Sequence, residues 1–168
     1  MSQNVSCEND CKFLNYQLVH SPTGQKCDKG WKYFEGNCYW VNIKMDNATM
    51  QCHEAKQSCL DQNSSLVSFQ SREEFNFVTE ILDRNHFQQA GIDFWVAAKR
   101  SSDDQEFKWE EDSTVVEVFK WADGEPSVGN KCLQLFKDDS ADWAYETENC
   151  ESLDDDGSFI CEKPADQK

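Results

Sequence analysis

The 168-residue chain carries nine cysteines, and thiol oxidation is the first chemistry its residues offer. Cys27 and Cys38 bracket the run Cys-Asp-Lys-Gly-Trp-Lys-Tyr-Phe-Glu-Gly-Asn-Cys. Cys59 follows a short helical pattern, Cys132 and Cys150 bracket an acidic loop, and Cys161 lies in Phe-Ile-Cys-Glu near the end. This density points to an oxidising compartment and to disulfides, whose pairing a sequence does not give. Cys7, Cys11 and Cys52 lie outside that frame.

Carboxylates offer the second chemistry. Asp and Glu number 32 against 16 Lys and Arg, a net charge of −16. Such a surface repels nucleic acid and anionic lipid and attracts calcium, cationic proteins or mineral. The runs Asp103-Asp104, Glu110-Glu111-Asp112, Asp138-Asp139 and Asp154-Asp155-Asp156 read as solvated loops, with mineral contact as a sharper alternative. His20, His53 and His86 have no partner at metal-ligand spacing. There is no Gly-x-Ser-x-Gly, no His-Glu-x-x-His and no phosphate-binding glycine loop, so an enzyme is not expected.

Sequons at Asn4, Asn47 and Asn63 agree with a glycosylated, secreted or extracellular chain. No stretch is long and apolar enough to span a bilayer, so no membrane insertion is expected. The opening Met1-Ser2-Gln3-Asn4 lacks an apolar leader core and reads as a mature or recombinant form.

The elements that must position these groups are short. Residues 1–26 are polar and irregular and read as an N-terminal extension. Trp31 to Val41 alternates aromatic and polar residues, as a hairpin does. Asp46 or Asn47 caps a helix running to about Leu60. Leu66-Val67-Ser68-Phe69 is a short strand. Ser71 with Glu74 forms a capping box opening a second helix, whose stripe is Phe75, Phe77, Val78, Ile81 and Leu82. Phe94 to Ala98 reads as a buried strand, and Phe107 with Trp109 as one face of another. Strands follow at Cys132–Phe136, near Trp143 and at Phe159–Glu162. Two helices, many short strands and a long loop region make an α+β domain.

These pieces, in this order, resemble the C-type lectin-like domain in its long form with an N-terminal hairpin disulfide. Gly30-Trp31, Phe34 and Cys38-Tyr39 are similar to the family's opening hairpin. Ala55, Cys59 and Leu66-Val67-Ser68 are similar to its first helix and second strand, and Phe94-Trp95-Val96-Ala97 to its core strand. Gly124-Glu125-Pro126-Ser127 stands where the family reads sugar with Glu-Pro-Asn or Gln-Pro-Asp. The resemblance implies a domain over 27–163 with a tail at 164–168, antiparallel sheets, and the disulfides Cys27–Cys38, Cys59–Cys161 and Cys132–Cys150. One cysteine of Cys7, Cys11 and Cys52 is then left over, as a free thiol, a link to a missing segment, or the bridge of a disulfide-linked homodimer.

The resemblance also implies one calcium site that holds sugar hydroxyls. Calcium takes six to eight oxygen ligands. Glu125 matches the first ligand and Pro126 the expected cis proline; Ser127 and Asn130 replace stronger ligands. The family's Trp-Asn-Asp is absent. Counted forward from Trp143, Ala144 and Tyr145 fall in the ligand places; counted back from Cys150, Glu146 and Thr147 do. The expected set is Glu125, Ser127, Asn130, Glu146 and Thr147, with Trp143 and Tyr145 as candidates for stacking on a ligand. Arg100 and Lys131 fall where an auxiliary calcium site would need acids, and that site is expected to be absent. The expected function is weak, calcium-dependent recognition of glycans or glycoproteins, in innate defence or adhesion. The alternative is calcium-independent recognition of a protein ligand, and the third reading is a mineral- or ice-associated protein.

Overall fold

The structure, a computed structural model, describes residues 26–43, 50–84, 92–101, 106–137, 142–152 and 158–166. Cys7, Cys11, Asn4, Asn47 and the proposed Asp46 cap lie outside the described residues, as do Asp103-Asp104, Asp138-Asp139 and Asp154–Asp156.

The chain opens with a hairpin, β1 (Lys32–Phe34) and β2 (Asn37–Asn42), then runs through α1 (Cys52–Leu60), β3 (Ser65–Leu66) and α2 (Arg72–Arg84). It continues through β4 (Phe94–Lys99), β5 (Lys108–Trp109), β6 (Cys132–Lys137), β7 (Trp143–Glu148) and β8 (Ser158–Pro164). One eight-stranded sheet joins them in the order β1-β2-β8-β4-β6-β7, with β3 on β8 and β5 on β4. The resemblance implies short antiparallel sheets, and all but one of the strand pairings among the described residues are antiparallel. The structure joins them through a parallel pair, β4 with β8, which brings Phe94 opposite Ser158 and Trp95 opposite Phe159.

Strand alternation then builds two cores. Phe94, Val96 and Ala98 face one side, with Ile160 and the α2 residues Phe75, Phe77, Val78, Ile81 and Leu82. Trp95 and Ala97 face the other, with Phe159 and the α1 residues Cys52, Ala55 and Cys59. Successive side chains of a strand point to opposite faces, so a continuous apolar run marks a strand covered on both.

The second helix starts as its sequence predicts, with one change. The Ser71 hydroxyl accepts from the Glu74 amide at 3.1 Å. The return bond from Glu74 goes one residue further back, to the Gln70 amide at 2.7 Å. The first helix is capped by Gln51, whose amide donates to Glu54 at 2.9 Å.

Three disulfides staple the described domain: Cys27–Cys38, Cys59–Cys161 and Cys132–Cys150. Cys52 is a free thiol, 1% exposed. Burial pushes that thiol up to about 11. A thiol so enclosed cannot reach a second chain, so the expected link to a homodimer does not run through Cys52.

Candidate functional site

The long-loop site grows from strand ends. Arg100 follows β4, Cys132 begins β6, and Thr147 lies near the end of β7. Residues 121–131 cross between them. The crossing is pinned at both ends: the Ala122 amide donates to the Tyr145 carbonyl at 2.8 Å and the Lys131 amide to the Glu148 carbonyl at 3.2 Å. Gly124 and Gly129 take φ of +85° and +94°, where a Cβ would be strained. The Glu125–Pro126 peptide is cis.

Four of the five expected ligand residues meet here. Glu125 Oε2 accepts from the Ser127 amide and the Thr147 amide, both at 2.9 Å, and from the Thr147 hydroxyl. Glu125 Oε1 accepts from the Ser127 hydroxyl at 2.8 Å. Asn130 Nδ2 donates to the Thr147 carbonyl at 2.8 Å. Burial alone would push the Glu125 carboxyl up, but the bonds from Thr147 and Ser127 outweigh it and hold the group below the usual carboxylate range. Glu125 is therefore ionised at neutral pH.

The fifth, Glu146, is not brought to the cluster. Register pairs Glu146 with Gln134 and Thr147 with Leu133. Neighbours along a strand face opposite ways, so Glu146 stands on the other face of the sheet from the Thr147 side chain. Of the two ways of counting the loop, it is Thr147, three before Cys150, that faces Glu125.

The two candidate stacking residues are corrected by burial. Tyr145 is 0% exposed and Trp143 8%. Tyr145 packs in the core against Phe69, Phe75 and Trp121. Trp143 packs on Phe94 and donates from Nε1 to Asp83 at 3.1 Å. Neither ring offers a face to a ligand. The Tyr145 hydroxyl is buried and, among the described residues, has no hydrogen-bond partner. A buried polar group left unpaired costs about 1–3 kcal/mol. Tyr145→Phe is therefore expected to raise the unfolding free energy by about 1 kcal/mol in urea titration; a loss of similar size would show that the hydroxyl is satisfied.

The donor set does not fit a calcium ion. Calcium needs several carboxylate and carbonyl oxygens aimed at one point. Here the cluster holds a single carboxylate, Glu125, and its Oε2 faces two N–H groups and a hydroxyl. Among the described residues no group of three or more His, Cys, Asp or Glu side chains is placed to hold a metal ion.

Arg100 is the residue whose role the sequence missed. Its charge is expected only to disfavour an auxiliary cation site, but the structure turns it toward the loop. Its Nε donates to the Asn130 carbonyl at 2.7 Å and its Nη2 to the Ser127 carbonyl at 2.5 Å. Nothing local to Arg100 signals this, because its partners lie 27 and 30 residues away.

The family model described as "Lectin C-type domain" matches residues 48–163. A snaclec A9 of Macrovipera lebetinus is 32% identical over 117 residues, covering 67% of this chain and 83% of the snaclec. A hepatic lectin of Gallus gallus is 26% identical over 138 residues, covering 80% of this chain. The chain spans only 58% of that lectin's length. Among solved structures, the carbohydrate-recognition domain of the mouse scavenger receptor C-type lectin is 26% identical. It superposes with a TM-score of 0.64, covering 84% of this chain and 99% of that domain.

Proposed function

The chain belongs to the C-type lectin domain family, and from that premise we propose that it is an extracellular recognition domain that takes glycans on the face formed by residues 121–131 and the end of β7. The observation that carries this reading is the convergence of Glu125, Ser127, Asn130 and Thr147 around the cis Glu125–Pro126 turn. An extracellular setting is supported by the disulfides and by the exposed sequon at Asn63.

The contacts on offer are direct hydrogen bonds. Glu125 Oε1 has one donor and keeps acceptor capacity for a sugar hydroxyl. Asn130, whose Nδ2 is engaged by the Thr147 carbonyl, keeps its Oδ1 as a second acceptor in the cluster. Val128, 102% exposed at the loop tip, can lie against the apolar face of a sugar ring. With so few fixed donors and a donor set that does not fit calcium, affinity for one sugar is weak, and useful binding comes from repeated units.

A glycan array with and without chelator tests the reading. Signals that survive chelator and fall at least tenfold in Glu125→Ala support it. Undiminished signals in Glu125→Ala would remove the long-loop face as the site. Signals that vanish with chelator would restore the calcium-dependent reading. The exposed Val128 also suits a protein ligand, since apolar side chains at a loop tip are common anchors. An empty array, with binding to a glycan-free protein surface, would favour that alternative.

A further inference from the structure

We propose that Arg100 is the cation that holds the long loop, so that residues 121–131 keep their binding shape without calcium. The guanidinium joins two carbonyls of the same loop, Ser127 at 2.5 Å and Asn130 at 2.7 Å. A planar fork with several fixed donors suits this span, and its bonds are charge-assisted. The fork is itself held in place. Arg100 donates its backbone amide to the Lys131 carbonyl at 3.0 Å, and its guanidinium lies 4.8 Å over the Phe107 ring.

The loop is thus tied from both sides. On the far side from Arg100, the Ser127 amide reaches Glu125 and Thr147, and Asn130 Nδ2 reaches the Thr147 carbonyl. The Ser127 and Asn130 carbonyl oxygens are turned to nitrogen, and Glu125 Oε2 already accepts from two N–H groups and a hydroxyl. A fixed positive charge inside the loop also raises the cost of placing a second cation there. Arg100 is accordingly a positioning residue: it acts on a ligand only through Ser127 and Asn130. The inference concerns the shape of the loop and stands whether the ligand proves to be a glycan or a protein.

Hydrogen exchange on the whole chain tests it without any ligand. In chelator-treated protein the Ser127 and Lys131 amides are expected to be protected, and millimolar calcium is expected to leave that protection within twofold. Arg100→Ala should lower protection at Ser127 and Lys131 at least tenfold while Val67 and Ala97, whose amides bond to the Ile160 and Val67 carbonyls away from the loop, keep theirs. If Arg100→Ala unfolds the domain, Arg100→Lys decides. It keeps the charge but not the fork, and it should loosen the loop while the sheet holds. Unchanged loop protection in the variant that folds would overturn the proposal. So would a wild-type loop that becomes protected only when calcium is added. Because no glycan enters the experiment, its failure is separate from failure of the glycan reading.

Discussion

Replacing Cys59 and Cys161 together by alanine is expected to lower the unfolding free energy by about 4.7 kcal/mol through chain entropy. This bridge closes a sequence separation of 102 residues, against 18 for Cys132–Cys150 and 11 for Cys27–Cys38. The same relation gives roughly 3.2 and 2.8 kcal/mol for the shorter loops. Cys59 and Cys161 are also 0% exposed, between α1 and β8, so their removal adds a cavity term. A domain of ordinary stability, about 5–15 kcal/mol, would be left marginal by this one change. Urea titration of the three alanine pairs checks the order. Equal losses at Cys27–Cys38 and Cys59–Cys161 would show that loop length is not what sets the effect.

A second large effect is expected from pH, at a place the sequence does not advertise. Glu162 in β8 follows Ile160 at the alternate position and so faces α2, where Glu74 stands. They line a cavity of about 320 Å³ with Tyr39, Ser68 and Glu111. Glu162 is 7% exposed and Glu74 6%. Burial pushes Glu162 up to about 8, against the bonds that its Oε1 accepts from the Ser68 amide at 2.8 Å and hydroxyl at 2.7 Å. The charges of Glu74 and Glu111 push the same way. Burial also raises Glu74, although Tyr39 donates to it at 2.5 Å.

The sign follows from linkage. A carboxyl whose pKa is higher folded than unfolded binds its proton more tightly in the folded state. Its contribution is full below the unfolded value, about 4.3, and is lost as pH rises to the folded value near 8. The domain is therefore expected to lose on the order of 3 kcal/mol from this group between pH 5 and pH 8. Glu162→Gln keeps the shape and removes the charge. It should match the wild type near pH 5, exceed it at pH 8, and show a flatter curve in denaturant titrations. Parallel curves for the two proteins would mean that Glu162 is not the titrating group.

Local patterns made much of this protein readable. Phe94-Trp95-Val96-Ala97-Ala98 marks a strand buried on both faces, because alternation sends neighbours to opposite cores. Ser71 with Glu74 marks a helix start because the bonds that cap it lie within one turn. The cysteine frame, with Glu125-Pro126, places the chain by resemblance, and the family match over 48–163 agrees. All of these depend on spacing along the chain.

The tertiary structure alone decided what depends on distant segments meeting. Whether Tyr145, Glu146 or Thr147 faces Glu125 was set by the register of β7 on β6, since a shift of one residue turns every side chain to the other face. Cys52 became a core thiol because α1 packs on Trp95, Phe159 and Cys161, from strands far along the chain. Arg100 became a clamp because β4 ends beside a loop 27 residues later, and Glu74 met Glu162 across an interval of 88 residues. A charged side chain's neighbours determine whether it repels, pairs or gives up its charge, and the sequence names the side chain without naming those neighbours.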